Sequence, residues 1–287
     1  MNKPLTGSTK VLGIIGHPVK HSLSPLMQNA ALHVSKLDYI YVPFEVETEK
    51  LGLAIAGLKA LGVAGFNVTI PHKIAVMSYL DDLDDSAVSA GAVNTVKNDY
   101  GRLVGYNTDG DGLLKSLSDD LDFDPRNSTI AVVGAGGAAR GAIAALSRAG
   151  AKQIIIANRT QDKAIELVSI MSANIANTEL VIASGYEDLQ DRLPRVDLLI
   201  NTTSLGMKND HIPHLRLGCM QPAFKVYDMV YSPRVTPLLR DASKAGFRCV
   251  NGLGMLAAQG ELAFSLWTGE IPPFGVMRST LATFCVS

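Results

Sequence analysis

Three groups of polar residues in this chain have the types and spacing for chemistry. The first is Ser22-Leu23-Ser24-Pro25, where two hydroxyls one residue apart could grip a carboxylate. Ser24 before Pro25 also reads as a helix N-cap and first-turn pair, which explains Ser24 structurally and leaves Ser22 unexplained. The second is Asn67-Val68-Thr69-Ile70-Pro71-His72-Lys73. Pro71 suits the first position of a helix, so Lys73 is expected in its first turn, where the positive end of the dipole disfavours a cation and pulls a lysine toward acid–base duty. A solvated surface lysine is the plainer alternative. The third is Asn107-Thr108-Asp109-Gly110, in which Asp109 taken locally reads as a cap or turn residue. Asn94 stands between apolar neighbours and needs a partner if buried.

A fourth group is backbone chemistry. Thr129-Ile130-Ala131-Val132-Val133 reads as a buried strand and runs into Gly134-Ala135-Gly136-Gly137-Ala138-Ala139 and an alanine-rich helix. In this strand–turn–helix context Gly134 permits the tight turn, Gly136 lets backbone approach a pyrophosphate, and the helix start offers N–H donors to the anion. The next strand, Gln153 to Ala157, ends in Asn158-Arg159-Thr160 with no acid at its tip. A carboxylate there would accept from an NAD ribose. Arg159 instead suits a 2′-phosphate, which favours NADP over NAD. Thr160 can add a hydroxyl donor, and it also reads as the N-cap of the following helix.

The elements that must hold these groups alternate strand and helix. In the first half, strands are expected near 11–16, 39–44 and 65–69, with helices from Ser24 to about Ser35 and from about Glu47 to Leu61. Asn98-Asp99-Tyr100-Gly101 reads as a hairpin turn between Ala92–Val96 and Leu103–Tyr106. Asp119 to Ser128 is polar and suits a connection. Strands are then expected near 129–134, 153–157, 180–183, 196–200 and 225–228, a loop over 207–222, and helices from Gly254 interrupted at Pro272-Pro273. Such alternation implies an α/β protein with mostly parallel sheets. At 287 residues two domains are expected, from about 150 residues per domain.

Composition narrows the classes. The formal charge is −1 without a basic run, which argues against a nucleic-acid partner. No apolar run is long enough for a membrane helix, and Met1–Lys10 has no signal core. Cys219, Cys249 and Cys285 are scattered and odd in number, as in a reducing compartment. The protein reads as soluble and cytoplasmic, either monomer or homodimer. His17 with His21 and His211 with His214 lack a carboxylate or cysteine cluster, so no metal is expected.

Taken in order, the segments resemble the shikimate dehydrogenase family. Ser22–Pro25, Asn67–Lys73, Gly91-Ala92-Val93-Asn94-Thr95 and Asn107–Gly110 are similar to its substrate-domain motifs. Gly134–Ala139, Asn158–Thr160, Asn201-Thr202-Thr203-Ser204-Leu205-Gly206-Met207, Tyr227-Asp228-Met229-Val230-Tyr231 and Gly252-Leu253-Gly254-Met255-Leu256 with Gln259 are similar to its remaining motifs. The resemblance implies NADPH-dependent reversible reduction of 3-dehydroshikimate to shikimate, within chorismate and aromatic amino-acid biosynthesis. It implies a three-layer α/β substrate domain, residues 1–108 and 253–287, around a Rossmann domain, 109–252, with the C-terminal helices returning to the first domain. It implies Lys73 and Asp109 as the proton-handling pair and Ser22, Ser24 and Tyr231 at the substrate carboxylate. Thr69, Lys73, Asn94, Asp109 and Gln259 would hold the ring oxygens. For NADP it implies Gly134, Ala135, Gly136, Gly137 and Ala138, then Asn158, Arg159, Thr160 and Lys163, with Met229 and Gly252 beside the nicotinamide.

Two positions depart from the family pattern: Asn251 replaces a common aspartate, and Gly260-Glu261 stands where two alanines are usual. The competing readings are an NAD-dependent quinate/shikimate dehydrogenase, another Rossmann dehydrogenase sharing the glycine loop, and a non-catalytic NADP-binding regulator.

Overall fold

A computed structural model of the chain describes residues 4–173, 175–218 and 220–284. Two of the three cysteines, Cys219 and Cys285, lie outside them. The first half contains β1 (Lys10–Gly16), α1 (Ser24–Val34), β2 (Tyr39–Glu45), α2 (Leu51–Ala60), β3 (Gly65–Val68), β4 (Asp82–Leu83), α3 (Asp85–Ala90), β5 (Thr95–Asp99) and β6 (Arg102–Tyr106). Next come α4 (Asp109–Leu121), β7 (Thr129–Val133), α5 (Gly137–Arg148), β8 (Gln153–Ala157), α6 (Gln161–Ser172), β9 (Glu179–Ile182), α7 (Tyr186–Arg192), β10 (Leu198–Asn201), β11 (Lys225–Asp228), α8 (Pro237–Lys244) and β12 (Arg248–Asn251). The chain closes with α9 (Leu253–Thr268) and α10 (Val276–Phe284).

The chain forms two compact units, one from residues up to Gly112 with those from Leu256 on, the other from Leu113 to Met255. Both junctions fall inside helices, α4 and α9. The polar connection expected over Asp119–Ser128 therefore starts only after Leu121. Leu113, Leu117 and Leu121, spaced four apart, are all buried in the second unit's core and keep the chain helical through Asp119 and Asp120.

The first unit is a mixed sheet in the order β2-β1-β3-β5-β6-β4. Strands β1, β2 and β3 run parallel, whereas β5 pairs antiparallel with both β3 and β6. The β5–β6 turn places Tyr100 and Gly101 at φ 50° and 92°, as a type I′ hairpin requires. The C-terminal helices belong to this unit. The Trp267 indole donates to the Val96 carbonyl at 2.9 Å, and Gln28 Nε2 donates to the Gly260 carbonyl at 2.9 Å. A methyl at Gly260 would press on Met27 Cε, so the unusual glycine lies where α9 touches α1.

The second unit is an all-parallel sheet in the order β12-β11-β10-β7-β8-β9. Counted from β7, this is the Rossmann order. Its central strands are apolar on both faces, as a sheet covered on both sides demands. Ile130, Val132, Ile154 and Ile156 meet α4, α5 and α6, while Ala131, Val133, Ile155 and Ala157 meet the side carrying α7 and α8. Strands β4 and β12 and helix α3 had no counterpart in the sequence reading. They are short, and β12 carries only four residues, Arg248-Cys249-Val250-Asn251, between polar flanks.

Candidate active site

Lys73 is not in a helical first turn. The His72 N–H returns to the Thr69 carbonyl at 2.9 Å, making a turn, and the Lys73 carbonyl accepts from Val93 N–H at 2.8 Å rather than from a later helical amide. Only a 3₁₀ segment, Ala75–Tyr79, follows. The dipole argument thus has no helix to act through. Lys73 is oriented instead by Asp109, at the start of α4: Nζ donates to Oδ2 at 2.5 Å. Their side chains are 15% and 7% exposed, so this ion pair is screened far less than a surface pair.

Asn94 ties that pair to the rest of the unit. Buried just before β5, it donates through Nδ2 to Asp109 Oδ1 at 2.8 Å and to Thr108 Oγ1 at 2.9 Å. Its Oδ1 accepts the Thr108 N–H at 2.8 Å. Gln259, from α9, stands with Oε1 3.5 Å from the same Asn94 nitrogen. Four segments far apart in sequence thereby deliver Lys73, Asn94, Asp109 and Gln259 to one place. Thr69 follows β3 half-buried, and its amide is held by the Ile15 carbonyl at 2.9 Å.

The Ser22–Ser24 loop also differs from its sequence reading. Leu23, not Ser24, occupies the N-cap position of α1, and no side chain caps there as a cap residue. Ser22 Oγ accepts the Ser24 N–H at 3.2 Å. Ser24 is buried, and nearby the buried Tyr41 phenol, whose pKa burial pushes well above the usual range, donates to Asn67 Oδ1 at 2.7 Å.

In the second unit Gly134 has φ 120°, and a methyl there would strike Thr202 Oγ1. Gly136, the N-cap of α5, has open space where a Cβ would stand, so a ligand can approach its backbone. Ala135, Gly137 and Ala138 are partly exposed around it. These features, with free amides at a helix start, fit a dinucleotide pyrophosphate. Asn158 Nδ2 donates to the Thr160 carbonyl at 2.8 Å and shapes the turn after β8. Thr160 is the N-cap of α6 but makes no side-chain capping bond, and Arg159, Thr160 and Lys163 are all exposed. No described carboxylate forms a salt bridge with Arg159. That donor set suits a ribose phosphate.

Sequence reasoning gave no role to Asp228, at the end of β11. It is fully buried and accepts from Thr236 Oγ1 at 2.6 Å, Asn201 Nδ2 at 2.9 Å and Val230 N–H at 3.0 Å. Desolvation raises its pKa despite those donors. The bonds hold the Val230 amide between Met229 and Tyr231, and the Met229 N–H is itself held by the Asn201 carbonyl at 2.9 Å. Gly252 packs on the Met229 carbonyl so closely that no Cβ fits. Asn251 donates to the Arg234 carbonyl at 3.0 Å and accepts the Leu253 N–H at 3.1 Å, a donor role an aspartate could not fill. A polar residue at the tip of an apolar strand was the available signal for Asp228.

Three family models match the chain: the shikimate dehydrogenase substrate binding domain over residues 14–96, shikimate/quinate 5-dehydrogenase over 117–211, and the shikimate 5′-dehydrogenase C-terminal domain over 252–282. Shikimate dehydrogenase (NADP(+)) of Geobacter metallireducens is 53% identical, covering 96% of each chain. A shikimate dehydrogenase solved in complex with NADP+ superposes with TM-score 0.90 at 39% identity, covering 100% of this chain and 99% of that one. The Thermus thermophilus shikimate 5-dehydrogenase solved with NADP(H) and shikimate gives TM-score 0.84 at 32% identity, over 96% and 99% of the two chains. With matches of this identity along nearly its whole length, the chain belongs to the shikimate dehydrogenase family.

Proposed function

We propose that this protein catalyses the NADPH-dependent, reversible reduction of 3-dehydroshikimate to shikimate, a step of chorismate and aromatic amino-acid biosynthesis. The observation that carries the reading is the buried Lys73–Asp109 ion pair, held by Asn94 and with Gln259 Oε1 3.5 Å from the Asn94 amide. A structural ion pair alone does not call for a second polar residue from each of two further segments around it.

NADPH, when bound, supplies hydride to the ring carbonyl carbon. Lys73 gives an ammonium proton from Nζ to the carbonyl oxygen as that oxygen gains charge, and takes one from the ring hydroxyl in the reverse direction. Asp109 keeps Nζ aimed, since a flexible lysine would otherwise sample many rotamers. Its Oδ1 remains held by Asn94 during the exchange, so the carboxylate does not follow the proton. Asn94, Gln259 and Thr69 orient ring hydroxyls, and the Ser22–Ser24 loop with Tyr231 receives the carboxylate. Gly134 to Ala138 receive the pyrophosphate of NADP. Asn158, Arg159, Thr160 and Lys163 receive the 2′-phosphate side, and Met229 and Gly252 border the nicotinamide.

Absorbance at the NADPH band, followed with shikimate and with quinate and with NADP+ and NAD+, tests the proposal. The largest kcat/KM is expected for shikimate with NADP+. Cofactor binding without turnover of either acid would refute it in favour of a regulator, and faster quinate oxidation with NAD+ would reassign the substrate.

A further inference from the structure

Arg140 is the fourth residue of α5, and its amide closes the first helical turn onto the Gly136 carbonyl at 3.0 Å. The residue is only 6% exposed. Its guanidinium forms no hydrogen bond or salt bridge among the described residues, and Nε is sealed from solvent without a partner. Arginine keeps its charge in proteins, so a full positive charge with several N–H donors lies buried and unpaired. Buried polar groups are almost always hydrogen-bonded, and buried charges are paired. The position adds to the cost, because the start of a helix disfavours a cation. Burial accordingly lowers the Arg140 pKa, and the charge that opposes this effect, Glu166 on α6, is exposed and forms no salt bridge with it.

The helix sets where the side chain leads. Ala139, Ala142, Ile143 and Leu146 lie in the core beneath α5, so Arg140, about 100° round from Ala139, stands on the flank of the helix. Long helical side chains lean back toward the N-terminus. From the fourth residue that direction leads over the first turn toward Gly136, which has open space where a Cβ would stand. Glu166 acts from α6, the helix whose first turn follows Arg159 and Thr160. The phosphates of the dinucleotide are assigned to the starts of these same two helices.

We infer that Arg140 is a further cofactor residue, and that its guanidinium holds a phosphate of the bound dinucleotide. A phosphate offers several charged oxygens to a planar fork of donors, the geometry a guanidinium matches best. The inference rests on the proposed function for its cofactor. It adds a side chain to the backbone donors of the glycine loop and to the Asn158–Lys163 turn.

The test is fluorescence titration of Arg140→Met and Arg140→Lys with NADPH and with NADH, beside urea unfolding of the cofactor-free proteins. Removing an unpaired buried charge relieves its desolvation, so the urea midpoint of Arg140→Met should be no lower than that of wild type. A hydrogen bond to a charged group is worth about tenfold or more, so the Kd of this variant should rise at least about tenfold. Arg140→Lys keeps the charge without the fork and should lose less. A rise for NADPH alone puts the guanidinium on the 2′-phosphate, and an equal rise for both cofactors puts it on the pyrophosphate; either result supports the inference. Kd values within about threefold of wild type for both cofactors would overturn it. So would an Arg140→Met protein that fails to fold or unfolds at markedly lower urea, since that marks a structural arginine. Because binding is the readout, a protein that binds NADPH yet turns over neither acid fails the proposed function and leaves this inference standing.

Discussion

Replacing Lys73 with methionine separates the catalytic and structural roles of the ion pair. Methionine keeps most of the side-chain volume and removes the charge. Asp109, 7% exposed as a side chain, then keeps its Asn94 bond but loses its one cation partner among the described residues. Breaking a buried pair from one side costs about 3 to 5 kcal/mol, and the surviving Asn94 bond puts the loss near the lower end, about 3 kcal/mol. With a urea slope of about 1 to 3 kcal/mol/M, the unfolding midpoint should fall by roughly 1 to 2 M. Loss of the positioned acid should lower kcat by about 10² to 10⁴ while substrate binding weakens much less. Lys73→Met/Asp109→Asn removes the stranded charge and should recover most of the stability but none of the rate, a coupling of about 2 kcal/mol or more. Urea unfolding followed by intrinsic fluorescence and steady-state kinetics on the same samples provide both measurements. A single variant with wild-type stability and near-normal kcat would refute the reasoning at both levels.

Arg159→Gln should raise the KM for NADPH by about tenfold or more and leave that for NADH nearly unchanged, since only the 2′-phosphate loses a charged donor; equal changes for both cofactors would remove Arg159 from the phosphate site. Gly252→Ala forces a methyl against the backbone of Met229 and should cost about 1 to 3 kcal/mol in urea unfolding, with a raised KM for NADPH in titrations of the folded fraction. Asp228 has a carboxyl pKa raised by burial above its ordinary 3.8, so the native state binds its proton more tightly than the unfolded chain does. Stability from that proton is complete below about pH 4 and is lost as pH rises through the raised value. The stability of Asp228→Asn relative to wild type should therefore increase with pH across that window, and a flat difference would contradict the assignment.

Much of the scaffold was readable because its determinants are local. The buried run Thr129–Val133, the glycines after it and the alanine-rich helix follow one another directly, so period and spacing suffice. The hairpin at Tyr100-Gly101 is likewise a property of two adjacent backbone conformations. Strands as short as β4 and β12 carry too few residues for a period to emerge. Motif order, compared with a family, also reached Lys73 and Asp109, but the local argument for Lys73 failed because a carbonyl bond to Val93, distant in sequence, holds the turn open.

The sequence by itself determined the α/β alternation, the dinucleotide loop, the missing acid beside Arg159 and the residue types available to handle a proton. Tertiary structure alone decided that Asn94 binds Asp109 beside Gln259, that buried Asp228 accepts the Val230 N–H, and that Asn67 on β3 accepts from the Tyr41 phenol on β2. The physical reason is the nature of the interactions. Burial periodicity is written along the chain, whereas a hydrogen bond has a direction and a partner, and both are settled only when distant segments meet.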